Sequence, residues 1–272
     1  MKVRVVWKSG TDEENAPPDA LIDIRSHLLW GLDDGPSGID QSLAMLKAAA
    51  AHGTTDIVAT PSASFEHSFD PEIVARRVAE LSARTDASIR IHTGCDFHFG
   101  YGNIRDALAN PHKYAINGLN HLLVEFPGTV IPPATDEILV KFRKENLVPI
   151  IAHPERNPFL QQSVERLKAW ISIGCVLQVT ARSLSGHFGK LEQECAWDLV
   201  RQGWVYVIAS DGRDLIHHPP RLDGAWRMLK QELGEDVAKK LLIDNPSVIL
   251  RGRPERKALD RAAALAESQP RS

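Results

Sequence analysis

The chain has 272 residues, 32 basic against 35 acidic, and a net charge of −3 at pH 7. That balance argues against a nucleic-acid binder with a broadly basic surface, and 43% hydrophobic with 25% charged residues excludes wholesale disorder. No apolar run approaches the ~20 residues that span a membrane, and three scattered cysteines (Cys95, Cys175, Cys195) suit neither a disulfide framework nor a zinc site.

The start, Met1 to Trp7, alternates basic and apolar residues and is unlike a signal peptide. Residues 1–20 end in Asn15-Ala16-Pro17-Pro18-Asp19 and read as an arm. A first strand is expected at 21–24. Ile39, Leu43, Leu46 and Ala50 then recur at helical spacing, with Gly53 where a C-cap glycine belongs. A second strand at 56–59 leads to Asp70-Pro71, an N-cap residue with proline at the first helical position, ahead of Ile73, Val74, Val78 and Leu81. The third strand, 89–92, precedes a weaker helical stretch at 103–109. Strands at 121–125, 148–152, 176–179 and 205–209 then alternate with helices at 133–146, 164–173, 191–202 and 222–233. Residues 253–272, rich in Arg, Glu and Ala, read as a charged tail forming a frayed helix.

These strands are short and mostly apolar, as in a parallel sheet buried on both faces. Seven of them with helical crossovers predict a closed or nearly closed, TIM-like β/α barrel of seven units over 21–252. A doubly wound open sheet is the alternative, but no G-x-G-x-x-G follows any strand. The whole reads as a soluble α/β enzyme or enzyme-like domain of a reducing compartment, the cytoplasm.

In such barrels the chemistry gathers at the carboxyl ends of the strands. Just past each strand in turn stand Arg25 and His27 with Asp33-Asp34-Gly35; Pro61 and Ser62; Asp96 and His98; Glu125; His153 and Arg156; Thr180; and Asp211 with Arg213. Imidazole nitrogens and carboxylate oxygens converging on one mouth suit zinc, manganese or iron. A bridging carboxylate can hold two ions that clamp a phosphoryl group. Taken singly, each residue has a plainer role. A strand-end Asp or His is often a helix cap or loop anchor, and Asp34 beside Gly35-Pro36 or Asp211 before Gly212 suits an Asx-turn. His92, His98, His187 and His217 read as surface or core histidines. Of these, His98 and His217 lie near the mouth but are not counted as ligands. Cys95 reads as packing. Cys195 and Arg201 have the spacing of a cysteine phosphatase, yet Leu191, Cys195 and Leu199 continue an amphipathic helix, so Cys195 reads as a core thiol.

The strings Asp23-Ile24-Arg25-Ser26-His27, Asp33-Asp34-Gly35, Ala59-Thr60-Pro61, Glu125-Phe126, Ile151-Ala152-His153-Pro154-Glu155-Arg156, Ile208-Ala209-Ser210-Asp211 and Ile243-Asp244-Asn245-Pro246 carry a family likeness. In order and spacing the chain resembles the polymerase-and-histidinol-phosphatase (PHP) superfamily. Within it, the chain resembles the manganese-dependent protein-tyrosine phosphatases of bacterial capsule and exopolysaccharide loci. The resemblance implies a distorted seven-unit barrel with a trinuclear metal site that hydrolyses phosphotyrosine, typically on a tyrosine kinase controlling polysaccharide export.

Carried over residue by residue, the resemblance makes His27, Asp34, Asp96, Glu125, His153 and Asp211 metal ligands. Arg156 would hold the phosphate, and Arg156, Asp211 and His153 form the catalytic set. Three family histidines are exchanged, for Arg25, Ser62 and Arg213, and a second phosphate-binding arginine gives way to His218. The first ion would keep His27, Asp96 and Asp211; the second Asp96, Glu125 and His153; the third only Asp34. A guanidinium has no lone pair to donate. Arg25 and Arg213 are therefore expected to fill vacated metal volumes, with Asp34 and Asp211 as partners, and to join Arg156 and His218 in holding phosphate. Fewer than three ions are expected, manganese first, with zinc, iron or magnesium open. Three readings follow: a phosphoric-monoester hydrolase with a reduced metal set, a catalytically impaired phosphatase that binds phosphotyrosine or another anion through arginines, or a metal-dependent hydrolase of another phosphate ester.

Overall fold

A computed structural model of the chain describes residues 17–18, 20–85 and 88–252. The expected tail at 253–272 and nearly all of the arm at 1–20 lie outside the described residues. Nine strands run in chain order: β1 Leu21–Ser26, β2 Thr54–Ala59, β3 Ser62–Ala63, β4 Arg90–Thr93, β5 Asp96–His98, β6 His121–Glu125, β7 Val148–Ala152, β8 Val176–Thr180 and β9 Val205–Ala209. Helices alternate with them: α1 Ile39–Ala50, α2 Pro71–Arg84, α3 Tyr101–Ala109, α4 Thr135–Lys144, α5 Pro158–Gln161, α6 Val164–Ser172, α7 Ala181–Leu184, α8 Lys190–Arg201, α9 Asp223–Leu233, α10 Glu235–Lys239 and α11 Asn245–Arg251.

All strand pairs are parallel, in two sheets ordered β1-β2-β4 and β3-β5-β6-β7-β8-β9. One continuous closed sheet is thus not what the described residues form. The breaks have local causes. Thr60-Pro61 separates β2 from β3, and proline has no N–H to give a ladder. Gly94 stands between β4 and β5, packed so closely that a Cβ there would lie 2.7 Å from Val58 Cγ1. The sheets still touch at both margins. Asp96 N donates to Pro61 O at 3.1 Å, and His27 N donates to Gly212 O at 2.7 Å. β3 and β5 were not expected from the sequence. At two and three residues they are too short to carry a period, and their strand character comes from pairing, as between Asp96 and Leu123.

Side chains alternate across the strands. One face gathers Ile22, Ile24, Val58, Leu123, Ile150, Val176 and Val207 into one cluster. The other carries Leu122, Val124, Ile151, Leu177 and Val179 against helix residues such as Phe142, Trp170 and Trp226. A third cluster lies beneath α1 and α2, where Met45, Leu46, Val74 and Leu81 meet Ile57 and Ala59. α2 starts as its sequence dictates: the Asp70 carboxylate accepts from Glu72 N at 2.8 Å and Ile73 N at 3.3 Å. No helix among the described residues is long and apolar enough to cross a membrane.

Candidate active site at the strand ends

The buried core of the mouth is built first by backbone. Asp23 on β1 accepts from Ser210 N at 3.0 Å and Ser210 Oγ at 2.5 Å, and Asp211 N donates to Arg25 O at 3.1 Å. These bonds lock the end of β1 to the end of β9, which brings Arg25, His27 and Asp211 side by side. Burial raises the Asp23 carboxyl to about 6 despite its bonds to Ser210. On the far side, Glu155 is wholly buried and accepts from Thr180 N at 2.9 Å and Ser183 Oγ at 2.7 Å. That anchor fixes the turn Pro154–Arg156 and so aims His153 and Arg156 inward.

Arg25 is fully buried. Its Nη2 donates to Asp96 Oδ2 at 2.7 Å and to Glu125 Oε2, while Nε lies 3.5 Å from Asp211 Oδ1. Burial disfavours the charged guanidinium, but Asp211, Asp96 and Glu125 together raise its pKa further. Arg156 Nη1 donates to Asp211 Oδ2 at 2.6 Å, and Arg213 joins Asp34 at 2.5 Å and Asp211 at 3.4 Å. Three guanidiniums thus converge on Asp211. Burial works against its ionisation, yet Arg25, His27 and Arg213 hold it well below the usual carboxylate range.

His27 is also fully buried. Its Nδ1 meets Asp33 Oδ2 at 2.7 Å, and its Nε2 lies 3.5 Å from Asp211 and 3.6 Å from Asp96. Burial and Arg213 push its pKa down, but Asp211 and Asp33 prevail and lift it to about 9. Asp33, which the sequence reading passed over in favour of Asp34, also accepts from Ser62 N at 2.8 Å and Gly35 N at 3.1 Å. The turn admits only glycine at 35, because a Cβ would stand 2.2 Å from His27 O. His153 Nε2 sits 3.1 Å from Glu125 Oε2. Burial opposes ionisation of Glu125, but His153 and Arg25 hold it well below its ordinary range.

Among the described residues, two groups place donor atoms within 4.8 Å of one another: His27, Asp33 and Asp34, and Asp96, His98 and Glu125. The first is committed elsewhere, since Asp33 serves His27 and two backbone N–H groups while Asp34 pairs with Arg213. A full trinuclear set does not fit these residues, because the Arg25 guanidinium engages both Asp96 and Glu125. The second group does fit one divalent ion. His98 stands in this group, and His153 meets it through Glu125. Asp96 and His98, two apart on β5, project from the same face.

The phosphate-side residues also lie close by. Phe188 stacks beneath Arg156, 4.1 Å from guanidinium carbon to ring centroid, and on its other contact meets the His218 ring at 5.8 Å. His218 has its pKa lowered by burial and by Arg182, Arg156 and Arg213, against the pull of Asp211. A cleft of about 380 Å³ opens beside Arg213, walled by Asp34, Met45, Leu215 and Ile216. His217, by contrast, is exposed beside Asp214. Cys195 lies in the unbroken helix α8, and burial pushes its thiol up to about 12. Cys95 is buried, its thiol likewise raised by burial.

Parallel strands with titratable groups at their carboxyl ends define an α/β fold of TIM-barrel-like kind with its candidate site at one mouth. An amidohydrolase from Mycoplasma synoviae shares the fold alone, at a TM-score of 0.57 and 13% identity. The chain belongs to the CpsB/CapC family of capsular polysaccharide synthesis, whose description it matches over residues 21–251. CapC of Staphylococcus aureus is 32% identical over 203 residues, 73% of this chain and 79% of that protein. The tyrosine-protein phosphatase YwqE of Bacillus subtilis is 27% identical over 235 residues, covering 85% and 92%. A solved structure from work on YwqE and CpsB of Streptococcus pneumoniae, described as unique metal-dependent tyrosine phosphatases, matches at a TM-score of 0.80 and 27% identity. It covers 86% of this chain and 95% of that one.

Proposed function

We propose that this chain is a metal-dependent phosphoric-monoester hydrolase acting on phosphotyrosine in a cytoplasmic protein of capsule or exopolysaccharide synthesis, such as a polysaccharide-export tyrosine kinase. It would work with a reduced metal set, manganese first, in a distorted seven-unit barrel. The observation that carries this reading is the convergence of Arg25, Arg156 and Arg213 on the mouth. Three permanent cations against Asp211 leave positive charge over for a phosphoryl dianion, and the half-buried Arg156 and Arg213 have the N–H groups within its reach, while Arg25 adds charge from beneath. Asp211 stays ionised, so it positions the guanidiniums rather than giving up a proton. Phe188 holds the Arg156 plane, which favours the bidentate fork that a phosphoryl group accepts. The cleft beside Arg213, with Met45, Leu215 and Ile216 along it, suits an aromatic ring attached to that phosphate. A divalent ion bound at the mouth supplies Lewis-acid polarisation of the phosphoryl oxygens.

Arg156→Ala is expected to weaken binding of phosphate or a phosphotyrosine peptide by about 1.5–3 kcal/mol, the scale of a charged hydrogen bond. Arg156→Lys should recover only part of it. Calorimetric titration alongside p-nitrophenyl phosphate turnover at increasing manganese checks both binding and activity. Unchanged affinity in both variants would place the phosphate elsewhere. A second reading, binding without efficient turnover, is favoured by the Arg25 contacts to Asp96 and Glu125. Intact peptide affinity with no manganese-dependent turnover would select it.

A further inference from the structure

We propose that the mouth binds a single divalent cation through Asp96, His98 and Glu125, displaced outward from the position held by Arg25, with His98 as the imidazole ligand. The argument begins with the two oxygens of Glu125, which face different neighbours. Oε2 is taken by Arg25 Nη2 and His153 Nε2, whereas Oε1 lies 4.0 Å from His98 Nε2. Asp96 differs, because one oxygen faces both neighbours. Its Oδ2 serves Arg25 and stands 3.9 Å from His98 Nε2, while Oδ1 is buried with no hydrogen-bond partner among the described residues. A buried carboxylate oxygen left without a partner is costly unless something electropositive meets it.

The spacing suits an ion. Donors each about 2.1 Å from one cation lie up to about 4.2 Å apart, so the 3.9 and 4.0 Å separations already bracket it. His98 is 38% exposed and stands at the rim, so its ring has room to close the remaining angle. His27 contributes little here, because its Nδ1 is committed to Asp33 and its Nε2 faces Asp211 and Asp96 beside Arg25. His153 Nε2 instead faces Glu125 Oε2, the oxygen that Arg25 Nη2 also engages. One imidazole and two carboxylates form a hard, mixed donor set that manganese or zinc accepts. Arg25 supplies inside what a further cation would have supplied, the positive charge between Asp96, Glu125 and Asp211.

The proposal takes only its location from the phosphatase reading, and its test needs no substrate. Full-length protein, freed of metal, would be titrated with manganese while the spin-resonance signal of the free ion is followed. Wild type is expected to take up one equivalent. His98→Ala should bind at least tenfold more weakly, His98→Asp should recover part of that loss, and His153→Ala should change affinity less than threefold. Metal-free melting curves of His98→Ala are expected to overlay those of wild type, since the side chain stands at the rim. Cobalt substitution gives a second readout, because loss of the imidazole shifts its visible bands. Equal affinity in wild type and His98→Ala overturns the proposal. So does uptake of three equivalents, which would require Arg25 to leave the carboxylates, or no uptake at millimolar manganese. If binding follows the proposal while turnover is absent, only the catalytic reading of the mouth fails.

Discussion

Replacing Arg25 by alanine is expected to lower folding stability by about 3–5 kcal/mol, the range for removing one partner of a buried ion pair. The side chain is wholly enclosed and its neighbours Asp96 and Asp211 are nearly so. Without the guanidinium, Asp96 and Glu125 face each other with no cation between them, whereas Asp211 keeps Arg156 and Arg213. The same variant should become markedly dependent on divalent metal. A ligand at a hundred times its dissociation constant adds about 2.7 kcal/mol to a state it alone binds. Manganese is therefore expected to restore Arg25→Ala by more than it stabilises wild type. Urea denaturation with and without manganese reads both effects. A loss below about 1 kcal/mol with no response to metal would mean that the carboxylates relax into solvent, and that Arg25 does not organise the mouth.

The fate of Arg25 shows what the sequence could and could not convey. Its inability to ligate a metal follows from chemistry alone, and so does its attraction to the carboxylates at the mouth. The partner assignment was only half legible. Asp34 and Asp211 are indeed the partners of Arg213, but Arg25 reaches Asp96 and Glu125 as well, a choice set by where β5 and β6 place those carboxylates. Strands at 121–125, 148–152 and 205–209 are found as expected, because unbroken apolar runs need no neighbour to declare them. β3 and β5 are strands only through their pairing, so nothing within Ser62–Ala63 or Asp96–His98 announced them. The nearness of His98 to Asp96 was illegible with β5: outside a strand, their two-residue spacing has no geometric meaning. Asp33 and Asp34 were ambiguous for a similar reason, since adjacent residues in a turn point in directions that only the turn decides.

A second large effect is expected far from the mouth, at the start of β6. His121 is buried, and its Nδ1 has no hydrogen-bond partner among the described residues. Burial and then Arg143 push its pKa from 6.5 down to about 4, against a backbone hydrogen bond to Ile249. Above about pH 6.5 the ring is neutral in both folded and unfolded chains and contributes no pH dependence. As the pH falls from there toward 4, the unfolded chain takes up a proton that the folded chain refuses, so stability declines; below about 4 the effect levels off. The full span is about 3 kcal/mol. His121→Gln is expected to remove that slope, so wild type should lose about 3 kcal/mol relative to the variant between pH 7 and pH 4. Urea midpoints at pH 7, 5.5 and 4 test it. Parallel curves would show that the ring is protonated in the folded protein or that the start of β6 opens.

His153 and Asp211 share one further property: both hold left-handed backbone, with φ of 31° and 55°. Such a conformation costs a residue other than glycine on the order of 1–3 kcal/mol, yet the two positions offer different ways out. Asp211 is tied down by its cations, since any exchange there takes one carboxylate from Arg25 and Arg213 and leaves Arg156 without its ion-pair partner. His153 touches only Glu125 among the charged residues of the mouth, so a glycine there relieves the backbone at the expense of one polar contact. Backbone strain at the mouth is therefore held in two ways: at Asp211 by several ion pairs, and at His153 by one contact and the packing of a nearly buried ring.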